Sequence, residues 1–308
     1  MPPVRIPAEA CLIMPHAFSP SCPKSAPAAR RRRRALACAG ALLASVTTLV
    51  SVGTAHAAPA AAAPGTASPA KPWVTAAVLG LDDGSREPTL YGEDAPYDTA
   101  SIIKVDILAA LLLQAQDAGR HLTAQERAHA EPMIRSSDNA AANALWRQIG
   151  RATGLESANK RLGLTDTKGG PGPRWGLTRT TASDQIRLLR AVFDAPAKAP
   201  ASKTASKAAS SALTEESKAY IRTLMTRIQN DQAWGVSAAS GAQWALKNGW
   251  LQRDPSGLWD VNSVGRITVG GHHYLVAVLS DGNRSMNEGV TLVERAARQA
   301  ITSATAGT

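Results

Sequence analysis

SIIKVDILAALLLQAQDA, residues 101–118, is the stretch on which the fold turns. Ile102, Ile103, Val105, Ile107, Leu108, Leu111, Leu112 and Leu113 place apolar side chains on nearly every face of a helix, and Gly119 follows as a stop. A helix that is apolar all round belongs at the centre of a domain, covered by its neighbours. Ser101 opens this one, and Lys104 lies three residues on, along the same face. Apolar surroundings disfavour a charged lysine, lower its pKa and let the amine take a proton from a serine hydroxyl. The S-x-x-K spacing alone is weak, since Ser21/Lys24, Ser68/Lys71 and Ser157/Lys160 share it; only Ser101 opens a fully apolar helix.

Upstream, residues 74–81 are β-prone and run into Asp82-Asp83-Gly84, a turn signal, before Thr89-Leu90-Tyr91 returns as a short strand. Downstream, helical patterns occupy residues 123–134, 139–149 and 156–162, punctuated by Gly150, Gly154 and Gly163, and residues 168–174 (KGGPGPR) form a loop. Thr180-Thr181 opens a helix through Phe193, with Asp184 well placed for its positive N-terminus. Residues 194–212 are almost entirely Ala, Lys, Ser and Pro and read as a mobile surface insertion, after which a helix covers 214–228. The period then changes. Residues 244–251, 258–269 and 274–279 are strand-like, separated by Arg253-Asp254-Pro255-Ser256-Gly257 and by Gly270-Gly271, and make an antiparallel meander; an amphipathic helix over 286–301 ends the pattern. This order implies an α+β domain: a five-stranded antiparallel sheet flanked by helices, built from both ends of the chain, with an all-helical lobe inserted. The expected domain is 73–303, with a sheet lobe of 73–98 plus 214–303 and a helical lobe of 99–213.

The first 57 residues read as a leader with a signal peptide. Arg30 to Arg34 precede an uncharged, mostly apolar run over 35–52, and Ala55-His56-Ala57 offers small residues at the two positions a signal peptidase reads, so cleavage is expected after Ala57. The run is rich in Ala, Ser, Thr and Gly and only marginally long for a membrane span, so no stable span is expected after cleavage. Leu36-Ala37-Cys38 suggests a lipoprotein signal only weakly, because Cys38 precedes the apolar run whereas a lipidated cysteine follows it. Residues 58–72 form an Ala/Pro-rich linker. The mature chain is expected to be secreted or associated with the cell wall.

With 308 residues, 44% hydrophobic and 19% charged, the chain is long enough for one or two globular domains with a buried core. Its formal charge is +10, but seven of the 34 basic residues and one of the 24 acidic ones lie in the leader, leaving 27 against 23, or +4. Nucleic-acid binding thereby loses its main support. Cys11, Cys22 and Cys38 all fall in the leader, so the mature chain has no disulfide, thiol nucleophile or Cys-ligated metal. Gly271-His272-His273 is a poor metal motif, since adjacent strand residues point to opposite faces. No metal or cofactor is expected, and a monomer is.

Two later tripeptides carry further chemistry. Ser137-Asp138-Asn139 opens a helical segment, where a serine can relay a proton to a leaving nitrogen and an asparagine can bind a substrate amide carbonyl; alone, its favoured reading is an Asx-type helix cap. Lys247-Asn248-Gly249 lies on the first meander strand. A lysine there can bind a carboxylate, a glycine lets substrate lie close to the strand, and the following N–H groups can donate; alone, Lys247 is an ordinary exposed strand lysine. Trp234, Trp244, Trp250 and Trp259 cluster in and before the meander, either lining a groove or filling core.

In order and in setting, the three motifs resemble the S-x-x-K, S-D-N and K-T-G signatures of class A β-lactamases and penicillin-binding proteins. AVLGLDDG with TLYGEDAPYDTASIIK is similar to that superfamily's opening hairpin and nucleophile, and MIRSSDNAAANALW to its second motif, so the resemblance spans nearly all of 73–301. It implies Ser101 as acyl-forming nucleophile, Lys104 as general base, Ser137 as proton relay, Asn139 as amide binder and Lys247 as carboxylate-recognising lysine, with Asn248 and Gly249 beside it on the substrate strand. The implied oxyanion hole is formed by the backbone N–H groups of Ser101 and Trp250.

Three departures bear on turnover and specificity. Class A β-lactamases release the acyl group with a water activated by a glutamate between the second and third motifs, and no glutamate occurs here between Glu156 and Glu215. The segment between the first two motifs is short. Asn248 replaces the usual Thr or Ser, with Arg266 on the next strand either compensating or simply solvated. The expectation is an exported serine acyl hydrolase acting on β-lactam or peptidoglycan-like amides with slow deacylation. The alternatives are a D-Ala-D-Ala-type carboxypeptidase and a wall-associated penicillin-binding protein without turnover.

Overall fold

The structure is a computed structural model that describes residues 72–82, 87–194, 212–241 and 243–306. The expected leader, all but the last residue of the linker, Asp83 and Gly84 of the expected first turn, and 195–211 of the expected insertion lie outside the described residues. The chain opens with β1 (Trp73–Gly80) and β2 (Thr89–Tyr91), followed by a two-residue strand β3 (Tyr97–Asp98) and a 3-10 turn (Ala100–Ile102). Helices α1 (Ile103–Asp117), α2 (Ala124–Arg135), α3 (Asn139–Gln148) and α4 (Arg151–Leu162) come next, then β4 (Arg179–Thr180), α5 (Ala182–Phe193) and α6 (Glu215–Met225). The meander is β5 (Trp244–Gln252), β6 (Trp259–Val269) and β7 (His272–Asn283), and α7 (Met286–Ala306) closes the pattern.

The expected five-stranded antiparallel sheet is present, in the order β2-β1-β7-β6-β5. The last strand, β7, inserts between β1 and β6 and thereby ties both ends of the chain into one sheet. Its alternating pleat feeds two cores. Ala77, Leu79, Ala245, Val264 and Ala277 face the helices, whereas Ala76, Val78, Leu246, Val261 and Val276 meet Val293, Ala297 and Ile301 of α7. The all-round apolar pattern of α1 has its expected consequence: Ile102, Ile103, Val105, Ile107 and Leu108 are all fully buried, among α2, α3, α4 and α6. Helix α5 packs on β1, β6 and β7.

The structure adds a ribbon that the pattern did not reveal. β3 pairs with β4 through Tyr97↔Thr180 and Asp98↔Arg179, elements too short to show an alternation. The ribbon ties the chain just before Ser101 to the end of the 168–178 loop, with Thr99 N donating to Thr178 O at 2.8 Å. The helix expected over 156–162 starts earlier, at Arg151, where Gly150 and Gly154 had masked the periodicity. Among the described residues no helix is long and apolar enough to cross a membrane.

Candidate active site

Ser101 stands in the 3-10 turn ahead of α1, where Ala100 has φ 46°, and only 9% of its surface is exposed. Asn262 on β6 braces that turn from below: its Nδ2 donates to Asp98 O at 2.8 Å and Thr99 O at 3.1 Å, while its Oδ1 accepts from Ser280 N at 3.0 Å. Gly249 pairs with Asn262 across the β5–β6 ladder. A Cβ on Gly249 would lie 2.7 Å from Ser101 N and 2.8 Å from both Ile102 N and Thr99 O, so only a glycine lets β5 lie against the turn that carries Ser101.

Lys104 sits one helical turn further in and is fully buried. Its Nζ donates to Ser137 O at 2.6 Å, Ser137 Oγ at 3.0 Å and Asn139 Oδ1 at 2.8 Å, and lies 4.8 Å from the centroid of the Trp175 ring. Burial draws its pKa down to about 7, against the opposing pull of Asp138. A sizeable fraction of the amine is therefore neutral near pH 7 and able to accept a proton.

Ser137 holds φ 57°, a left-handed conformation that costs a non-glycine residue about 1–3 kcal/mol and turns up at sites that need it. It is met from the far side by Lys247 on β5, whose Nζ donates to Ser137 Oγ at 3.0 Å and Asn248 O at 2.7 Å. Lys247 is fully buried, and burial followed by the charge of Lys104 pushes its pKa well below the ordinary lysine range. Two lysines thus converge on one hydroxyl. Within the second tripeptide Asp138 caps α3 by accepting from Ala141 N at 2.6 Å, while Ser137 and Asn139 accept hydrogen bonds from Lys104 Nζ.

Asn248 lies apart from this cluster. Strand alternation turns its side chain away from Lys247, and Nδ2 donates to Gln232 O at 2.8 Å and Trp234 O at 3.0 Å, fixing the segment beneath the sheet. Arg266 stacks its guanidinium 5.6 Å from the centre of the Phe193 ring and does not line the cleft. Trp250 does line it, backed by Trp234 with ring centres 6.0 Å apart.

The cleft, of about 720 Å³, runs from Ser101 and Asn139 between two walls, Arg174 to Leu177 on one side and Trp250 to Asp254 on the other. Arg253 is held there by Asp98 and by Asp260, the latter at 3.4 Å. Sequence reasoning passed over Asn143, Asn262 and Trp175. Of these, Asn143 was accessible, because it lies four residues after Asn139 on the same helix face. Asn262 and Trp175 carry no local signal.

A sequence profile described as the Beta-lactamase enzyme family (Beta-lactamase2) matches residues 117–304, a span that holds the second and third motifs and begins after Ser101 and Lys104. Over 121 residues the chain is 32% identical to the lipoprotein LppW of Mycobacterium tuberculosis and of Mycobacterium bovis; the match spans 39% of this chain and 38% of those relatives. Among solved structures, it resembles a mutant of PBP-A captured as an acyl-enzyme complex with penicillin G (TM-score 0.60, 21% identity, 77% of this chain and 91% of that one). It also resembles a class A β-lactamase from Bacteroides cellulosilyticus (TM-score 0.59, 15% identity, 76% and 93%) and a β-lactamase from Chitinophaga pinensis (TM-score 0.60, 16% identity, 75% and 94%). At these identities the structural likeness establishes the fold.

Proposed function

Since the chain belongs to the β-lactamase enzyme family, we propose that it is an exported serine acyl hydrolase that takes acyl groups from β-lactam or peptidoglycan-like amides onto Ser101 and releases them slowly. The convergence on Ser137 Oγ of buried Lys247 and of buried Lys104, which lies one helical turn after Ser101, carries the reading. In the attack, Ser101 Oγ bonds to the carbonyl carbon and its proton passes to neutral Lys104 Nζ. The N–H groups of Ser101 and Trp250 receive the oxyanion, a pair in which each donor is worth about 3 kcal/mol of barrier. Ser137 Oγ then hands a proton to the leaving nitrogen as the C–N bond breaks and is resupplied from Lys104. Asn139 binds the substrate amide, and Lys247 holds Ser137 and attracts a substrate carboxylate. Gly249 lets the substrate reach the strand, and Asn248 supports that strand from its other face.

Slow release is supported by the 168–178 loop, which carries no acidic residue. This observation favours a penicillin-binding protein with little turnover as the second reading. Incubating the mature protein with a labelled penicillin and following intact mass tests both. An adduct on Ser101 that decays indicates hydrolysis, a lasting one indicates acylation without turnover, and no adduct, or one that survives Ser101→Ala, refutes the acyl-serine reading. Release of D-alanine from a D-Ala-D-Ala peptide would mark the carboxypeptidase alternative.

A further inference from the structure

The 168–178 loop delivers an indole to the cleft rather than a carboxylate. Trp175 lays its ring 4.8 Å from Lys104 Nζ, and its Nε1–H donates to Asn143 Oδ1 at 2.8 Å. Asn139 and Asn143 stand four apart on α3, so one helix face holds both partners: Asn139 takes Lys104 and Asn143 takes Trp175. The loop behind the indole is anchored in turn. Trp146 Nε1 donates to Gly172 O at 2.8 Å, Gly170 N to Thr178 Oγ1 at 3.0 Å, and Lys168 exchanges backbone hydrogen bonds with Arg179 at 2.8 and 2.9 Å. Lys104 Nζ therefore has three oxygen acceptors on one side and an aromatic face on another.

We propose that Trp175, latched by Asn143, is a lid over Lys104 that keeps water from an acyl group on Ser101 and so sets how long that group persists. The proposal rests on the acyl-serine reading above. Release requires a water oxygen to add to the ester carbonyl carbon while one water proton passes to neutral Lys104 Nζ. The bond from the carbonyl carbon to Ser101 Oγ then breaks, and that proton returns to Oγ, leaving a free acid and a serine hydroxyl. For Lys104 to act in this way, the water must touch both Nζ and the ester. The indole covers an approach to Nζ, and its single donor, Nε1–H, is spent on Asn143, so it offers an incoming water no hydrogen-bonding anchor. Trp175 is a positioning residue, acting through what it admits to Lys104.

The test compares wild type with Trp175→Ala, Trp175→Phe and Asn143→Ala, each acylated with a labelled penicillin, freed of excess reagent and followed by intact mass. The acyl group should leave Trp175→Ala at least about 10-fold faster than wild type, a fraction of what a fully positioned general base supplies. Trp175→Phe keeps a ring over Lys104 and should decay more slowly than Trp175→Ala. Asn143→Ala, which frees the latch but keeps the indole, should fall between wild type and Trp175→Ala. Decay of Trp175→Ala at or below the wild-type rate overturns the lid. Should circular dichroism show Trp175→Ala unfolded, Trp175→Phe and Asn143→Ala decide, and wild-type decay in both overturns it. A wild-type protein that takes no adduct removes the acyl-serine reading and the lid together. An adduct that decays alike in all four proteins leaves the reading standing and removes only the lid.

Discussion

Replacing Gly249 by Ala sets the strand against the turn that carries Ser101. The added Cβ would lie 2.7 Å from Ser101 N, 2.8 Å from Ile102 N and 2.8 Å from Thr99 O, where ordinary contact begins at 3.4 Å. All three targets are backbone atoms, so no side chain can swing aside, and relief requires a separation of about 0.7 Å between β5 and the turn. Neither partner retreats freely: β5 is laddered to β6 along its length, and Asn262 on β6 holds the carbonyls of Asp98 and Thr99. Overpacking of this kind costs about 1–3 kcal/mol of stability. The catalytic cost is larger, because the displaced atom is the N–H assigned to the oxyanion, and a misplacement approaching 1 Å is worth on the order of 100-fold in rate. Gly249→Ala should therefore remain folded and acylate about 10- to 100-fold more slowly, measured as adduct formation with a labelled penicillin beside urea denaturation of both proteins. Acylation within about twofold of wild type by a folded variant would refute the assignment of Ser101 N–H and the strand beside it.

Further outcomes follow from three named groups. The acylation rate should rise with pH as Lys104 loses its proton near its pKa of about 7, and Lys104→Arg, which stays charged, should lower it about 10²- to 10⁴-fold; a flat profile would remove Lys104 as base. Because that folded pKa lies below the ordinary 10.5, the unfolded chain binds more protons between the two values, and the Lys104 contribution to stability should grow from pH 7 to 10.5. Asp106 is fully buried, both its carboxyl oxygens lack a hydrogen-bond partner among the described residues, and burial, then the charge of Asp184, lifts its pKa to about 8. Here the folded state binds the extra proton, so wild type should lose stability relative to Asp106→Asn as pH rises from 4 to 8; parallel urea midpoints at the two pH values would contradict this. Among the described residues a Cβ on Gly176 would meet only Ala100 Cα, at 3.8 Å, and the residue lines the cleft beside Ser101. Gly176→Glu should accordingly speed acyl release by about 10-fold or more, and decay unchanged by intact mass would show that a carboxylate there does not reach the water.

Much of this was legible locally. Residues 101–118 announced a buried helix because burial on every face demands apolar residues at every register, and the hairpin and meander followed from period-2 runs broken by Gly, Asp and Pro. Alternation, already applied to His272 and His273, also separates Asn248 from Lys247; the family motif had drawn both to the substrate side, but the structure turns Asn248 to the backbone of Gln232 and Trp234. Ribbon β3–β4 escaped because two residues carry no period.

The sequence by itself determined the helices, the five strands of the main sheet, their order and three motifs in suitable settings, since each depends on residues within a turn or two of one another. Only the tertiary structure decided that Lys247 reaches Ser137 across 110 positions, that Asn262 braces the Ser101 turn across 163, and that Trp175 lays its ring 4.8 Å from Lys104 Nζ. Those meetings arise from inserting β7 between β1 and β6 and from docking a loop on α3, steps governed by how faces fit once buried.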